Sequence, residues 1–269
     1  WVVTALDAIR PLIDDVRATC EEQGSADAAA ELGRLTARLD EPLAVAIAGK
    51  VKAGKSTLLN SLVGEELAPT DAGECTHVVT WYRNGPTYRV TVDVDDGSRR
   101  QVRFHRDDGA LELDLGDVPV ERVRRIVVEW PSARLATMTL IDTPGLDSVN
   151  ADLSDRTRAL LGAGDRSAQA PGDGGNSEAD AVIYLMRHVH RTDLTFLEAF
   201  RDDAHAGASP ISAIAVLSRA DEVGACRLDA MSAANRIAEN WRNDPRLRRL
   251  VQTITPVAGL IAQAGASLR

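Results

Sequence analysis

Nine residues, GKVKAGKST from Gly49 to Thr57, constrain this chain more than any other stretch. They follow Leu43–Ala48, a near-continuous apolar run of the kind that forms a strand buried on both faces. Helical periodicity then continues through Leu62. The spacing Gly49-x-x-x-x-Gly54-Lys55-Ser56 between a strand and a helix predicts a loop that wraps phosphate groups. Glycines let successive backbone N–H groups turn toward an anion, and the helix N-terminus adds partial positive charge. The whole cradle is Gly49, Lys50, Val51, Lys52, Ala53, Gly54, Lys55, Ser56 and Thr57. A strand–loop–helix unit of this kind belongs in an α/β protein.

Cation usage sharpens the expectation. Lys50, Lys52 and Lys55 are the only lysines among 31 cationic residues, so every other cation is arginine. A compact ammonium fits between phosphate oxygens where a planar guanidinium is too broad. Lys55 is therefore expected on the β- and γ-phosphates, and the Ser56 hydroxyl on Mg²⁺.

Three further segments extend the pattern in chain order. Asp142-Thr143-Pro144-Gly145 ends an apolar strand; Asp142 would hold Mg²⁺ through water, and the Gly145 amide would sense the γ-phosphate. Ser218-Arg219-Ala220-Asp221 follows another buried strand and approximates a guanine-binding motif, although Ser218 and Arg219 both depart from the usual Asn or Thr and Lys. Asp221 would accept the two N–H groups that guanine presents and adenine lacks, with the Arg219 stem beneath the base. Ala258-Gly259, after the last strand, could offer a backbone N–H to the base. Thr76, in a polar loop after the first helix of this unit, is the expected switch threonine on Mg²⁺, with Thr70 and Thr80 as rivals. Together these predict GTP/GDP and Mg²⁺ as ligands.

The organisation around these motifs is a helical appendage followed by one large domain. Residues 1–40 carry apolar residues at three- and four-residue steps and predict two helices. Gly24-Ser25 separates them, with Ser25 as N-cap, and Pro11 should kink or delay the first. Residues 78–142 predict an antiparallel block: Val78–Arg83, Tyr88–Val94, Arg100–His105, Arg125–Trp130 and Thr137–Asp142, with turns at Asp96-Gly97 and Asp108-Gly109. Asp93, Asp95 and Asp96 lack calcium-loop spacing. The small, polar run at residues 163–179 predicts a mobile loop. Beyond it the chain alternates: strand Ala181–Met186, helix Thr192–Asp202, strand Ile211–Leu217, helix Leu228–Trp241 and strand Gln252–Pro256. The alternation predicts a mixed, mostly parallel sheet with helices on both faces. His188-x-His190 lacks a third ligand and predicts no metal site.

The net charge of −9 argues against a nucleic-acid surface. Cys20, Cys75 and Cys226 match no metal spacing and suit reduced thiols in the cytoplasm. No apolar run reaches the ~20 residues a membrane helix needs. A start at Trp1 and an end in a helix-like run suggest a piece of something longer.

The segments KAGKSTLLNSLVGEELAPTDAGECTHVVTWYRNG, VVEWPSARLATMTLIDTPGLDS and LSRADEVG resemble bacterial dynamin-like GTPases, closest to the actinobacterial type that includes the mycobacterial isoniazid-inducible proteins. The resemblance covers roughly residues 41–262, including a proline-containing hairpin before Asp142. It implies a dynamin-type G domain with an eight-strand sheet, residues 1–40 as part of a neck or bundle, and residues 263–269 opening a helix toward the rest of that bundle. It further implies GTP hydrolysis, a homodimer or paralogue heterodimer across the nucleotide face, and membrane remodelling. Lipid contact would come through regions absent from this chain, at the inner face of the cell membrane. Leu146 stands where Ras-like proteins carry a water-positioning glutamine, so that role must lie elsewhere. Val51 and Lys52 stand where eukaryotic dynamins have glutamine and serine, and Lys52 is expected to act as a built-in cation between the β- and γ-phosphates. Lys50 is expected to be solvated, or paired with an acid across a dimer. The alternatives are an RNA-acting GTPase of the Era and TrmE kind, or a scaffold that binds GTP without hydrolysing it.

Overall fold

A computed structural model describes residues 2–68, 78–107, 110–144, 179–203 and 212–267. The chain divides into two compact units, Trp1–Pro42 and Leu43–Arg269.

The first unit is a pair of helices, α1 (Val2–Glu22) and α2 (Ala26–Leu39). The turn between them is built by Gly24, at φ +75°, which lets Gly24 N–H reach Glu21 O and Ser25 N–H reach Cys20 O. This reciprocal pair satisfies carbonyls that the end of α1 would otherwise leave open. Ser25 holds the N-cap position of α2, its carbonyl accepting from Ala29 N–H at 3.1 Å. Pro11 does not delay α1, which starts at Val2 and continues through Pro11 to Glu22. Proline removes a single backbone donor, and the remaining turns of a 21-residue helix carry it.

The second unit is built on a ten-stranded sheet of order β10-β9-β8-β1-β7-β2-β6-β3-β4-β5, two strands wider than the resemblance implied. Its strands are β1 (Leu43–Gly49), β2 (Thr80–Asn84), β3 (Arg89–Val94), β4 (Arg99–Asp107), β5 (Ala110–Asp114), β6 (Val123–Trp130), β7 (Met138–Asp142), β8 (Ala181–Met186), β9 (Ala213–Ser218) and β10 (Thr253–Val257). β5 was not among the expected strands: ALELD alternates apolar and charged residues as a strand does, but the run is only five residues long.

One half of the sheet, β10-β9-β8-β1-β7, pairs parallel throughout. The other half is mixed, which corrects the expected all-antiparallel block: β2 runs antiparallel to β7 but parallel to β6. The expected proline hairpin before Asp142 is not one either, because β2 lies between β6 and β7. Local turn signals cannot report a strand arriving from elsewhere in the chain. The β3–β4 hairpin does form over Asp95–Ser98, with Gly97 at φ +80° and Val94 N–H donating to Ser98 O. The second expected turn, at residues 108–109, and most of the glycine-rich run lie outside the described residues.

Both faces of the parallel half are covered, which explains its continuous apolar strands. Val45 and Ile47 pack with Leu58, Leu59 and Val63 of α3 (Lys55–Val63). Ala44, Ala46 and Ala48 face Phe196, Leu197 and Phe200 of α4 (Arg191–Asp203) and Ala238 of α5 (Ala230–Arg242). The last helix, α6 (Gly259–Ser267), begins directly after β10 and packs on α3.

Candidate nucleotide site

The carboxyl ends of β1, β7, β9 and β10 all open on one edge of the sheet, where α/β proteins characteristically place their ligands. At β1 the chain leaves through Gly49 at φ +147° and forms a tight loop that ends at Gly54, φ +94°, the residue before α3. Gly49 is enforced twice over. Its dihedral disfavours side chains, and a Cβ there would sit 2.5 Å from the Leu185 carbonyl of the neighbouring β8. Within the loop, Ala53 N–H donates to Lys50 O at 3.1 Å, and Lys52 is held at φ +61°. A lysine in the left-handed region is strained by ~1 kcal/mol or more, the kind of cost retained at functional sites. Val51 and Lys52 are exposed at the loop tip, whereas Ala53 is buried.

The Lys55 ammonium folds back into the loop and lies 3.3 Å from both Gly49 O and Lys50 O. Burial pushes its pKa down, opposed by the nearby Asp142 carboxylate. Asp142 closes β7, where Thr143 continues onto β1 by donating its Oγ1–H to Ile47 O at 2.9 Å. Burial drives the Asp142 carboxyl up to about 6 against the pull of Lys55 and the Thr143 N–H. The residue retains some solvent access, but its Oδ1 is buried without a hydrogen-bond partner among the described residues. A desolvated carboxylate oxygen lacking a donor, in the same site as the half-buried Ser56, is an oxygen-only ligand set of the type Mg²⁺ takes. The residues present fit that ion.

Beside the loop lies a cleft of about 190 Å³, lined among others by Gly54, Thr57, Ser218, Arg219, Asp221 and Gly259. It unites the phosphate loop, the segment after β9 and the start of α6. Ser218 is buried, and its Oγ has no partner among the described residues. Arg219 takes φ +52° and turns its guanidinium sideways, onto Glu222 Oε1 at 3.0 Å and Lys52 O at 3.1 Å. Glu222 also receives Arg187 at 2.7 Å. Ala258 caps α6, its carbonyl accepting from Ala262 N–H. Gly259 approaches α3 closely enough that a Cβ would meet Thr57 Cγ2 at 3.2 Å.

Lys50 departs from its expectation of solvent or an acid in another copy. Its Nζ lies 3.9 Å from Asp193 of the same chain, a residue the sequence reading passed over. Nothing local marks Asp193; it resembles any acid in the first turn of a helix. Thr76, its rival Thr70, Gly145 and Leu146 lie outside the described residues, while Thr80 is buried in β2 with its Oγ1 on Val78 O.

A glycine-enforced loop with a half-buried lysine, an aspartate closing the adjacent parallel strand and a cleft beyond the next strands define a P-loop nucleotide-binding protein. The model of the dynamin family matches residues 45–187, and the chain belongs to that family of GTPases. Over 243 residues it is 41% identical to isoniazid-induced protein IniC of Mycobacterium tuberculosis, covering 90% of this chain and 47% of the relative. It is 34% identical over 116 residues to bacterial dynamin-like protein of Nostoc punctiforme, covering 39% of this chain and 17% of that one. A solved structure of an oligomerised bacterial dynamin pair aligns with TM-score 0.53 at 20% identity, over 86% of this chain and 33% of its own, a likeness of fold. The chain thus spans less than half the length of these relatives. Among the described residues no helix is long and apolar enough to cross a membrane.

Proposed function

We propose that the second unit binds GTP in the cleft between the phosphate loop and Asp221, hydrolyses it with Mg²⁺, and dimerises across this nucleotide face. Nucleotide turnover would move attached helices, including the first unit, and so remodel a membrane that is reached through parts of a longer protein. The observation that carries this reading is the meeting of Lys55, Asp142 and the Ser218–Asp221 segment at one sheet edge.

In this reading the Gly49–Thr57 amides and Lys55 hold the β- and γ-phosphates. Asp221 would select guanine by accepting from the base's two N–H donors, and the Gly259 amide, which also lines the cleft, would face the base. Ser56, Asp142 and Thr76 would hold Mg²⁺, which when bound neutralises charge shared by the β- and γ-phosphates. The Gly145 amide reports the γ-phosphate. Lys52 stands at the loop tip as a cation supplied by the chain itself. Dimer contact orders the loops that supply what Leu146 lacks. A cytoplasmic location at the inner membrane face follows from that role.

Two measurements test this. A fluorescent GDP analogue bound to the chain should be displaced by GTP and not by ATP. Phosphate release per molecule should climb with protein concentration, as a dimer-activated enzyme requires. Displacement by both nucleotides would refute guanine selection, and GTP binding without phosphate release would identify a scaffold.

A further inference from the structure

The Lys50 side chain has no part in that nucleotide binding, although it is one of three lysines in the chain. Its partner Asp193 is fully buried. The Asp193 carboxylate accepts Tyr184 Oη–H on Oδ1 and His190 N–H on Oδ2, both at 2.8 Å, with Lys50 Nζ 3.9 Å from Oδ1. The His190 contact is the reaching-back half of a capping box at the start of α4. A carboxylate so deeply buried needs a cation nearby, and Lys50 is the cation placed beside it.

Residue 50 also holds the loop from within. Its carbonyl accepts both the Ala53 N–H that closes the loop and the Lys55 ammonium. The direction in which the Lys50 peptide faces therefore sets where the phosphate-binding ammonium rests. Two residues on, Lys52 O is held by Arg219, whose partner Glu222 is held in turn by Arg187. The loop is thus tied at Lys50 and at Lys52, through two carboxylates, to the single segment Arg187–Asp193 that follows β8.

Resting on the nucleotide reading above, we propose that Asp193 is a positioning residue: acting through Lys50, it fixes the phosphate loop so that Lys55 and the loop amides face the β-phosphate. It touches no nucleotide itself. A lysine suits position 50 because the ammonium must reach a buried acid from a loop whose backbone is already committed to phosphate.

The effect should therefore be confined to phosphate recognition beyond the first phosphate. Competition by unlabelled GDP and GMP is measured on the whole chain and on Lys50→Met, Asp193→Asn, the double variant and Lys50→Arg, with the melting temperature of each. Each neutral single variant should weaken GDP about tenfold, with GMP affinity changed less than about twofold. The double variant should bind GDP no worse than either single one, and Lys50→Arg should recover most of the loss. Should Asp193→Asn fail to fold, Lys50→Met decides, because its side chain lies at the partly exposed end of the pair. Equal loss for GDP and GMP, strictly additive losses in the double variant, or unchanged GDP binding would each overturn the proposal while leaving guanine-nucleotide binding intact. Failure of the wild-type chain to bind any guanine nucleotide overturns both.

Discussion

Asp142 is held in a state that costs the protein stability, and the cost can be worked from its surroundings. Burial lifts its carboxyl from 3.8 to about 6 even with Lys55 and the Thr143 N–H pulling the other way. The folded chain therefore binds this proton more tightly than the unfolded chain does. The corresponding stability is fully present below pH ~4 and is lost as pH rises through 6. From 3.8 to about 6 the loss amounts to at most about 3 kcal/mol, which is complete at neutral pH. Replacing Asp142 by Asn keeps the shape of the protonated acid and removes the ionisation. Denaturant unfolding of wild-type and Asp142→Asn chains without nucleotide, at half-unit steps from pH 4 to 8, isolates this group, because the other titrations are common to both. Asp142→Asn should match the wild type near pH 4 and become more stable by up to about 3 kcal/mol at pH 7 and above. The same substitution should abolish the extra stabilisation that Mg²⁺ adds to GDP, since the charge that would hold the metal is gone. A variant that is less stable than the wild type at pH 7, or a difference independent of pH, would refute the claim that Asp142 is strained by desolvation.

Three further expectations follow from named contacts. Gly49→Ala places a Cβ 2.5 Å from the Leu185 carbonyl and must push β1 and β8 apart, so it should lower stability by ~1–3 kcal/mol and weaken GDP binding together; wild-type values in both assays would contradict the packing. Asn60 is buried on α3, accepts Leu67 N–H and Ala68 N–H, and donates to Ala68 O, so Asn60→Ala, which leaves these buried groups unpaired, should cost about 2–4 kcal/mol by denaturant titration, and a cost under 1 kcal/mol would contradict it. Lys52→Ser should lower the rate of GTP hydrolysis in choline buffer and regain part of it in K⁺; identical rates to wild type in both buffers would remove the built-in cation.

The parallel half of the sheet and the phosphate loop were legible because their signals are local. An apolar run, two glycines at fixed spacing and a helix start lie within twenty residues, and each reports its own backbone. The mixed half was legible only strand by strand. That β2 inserts between β6 and β7, parallel to one and antiparallel to the other, depends on pairing energies between distant segments, which no turn residue encodes.

Asp193 illustrates the same boundary within the site. Its sequence setting, HRTDLTF, reads as an ordinary helix first turn, and its acid as a dipole-stabilising surface residue. What removes it from the surface is tertiary. Tyr184 of β8 lies against Phe196, their rings stacked at 4.9 Å, and its hydroxyl meets the carboxylate inside that packing. The one clue available in the sequence lay elsewhere, at Lys50, a lysine in a chain that otherwise chooses arginine. Arginine carries a wide guanidinium suited to forked surface pairs, such as Arg246 on the two carboxylate oxygens of Asp244. A single ammonium on a slender stem suits a cation that runs from a crowded loop toward a buried acid. Where composition is this lopsided, an exception to it marks a place where geometry matters, and the acid that residue 50 meets belongs to a segment 143 positions away.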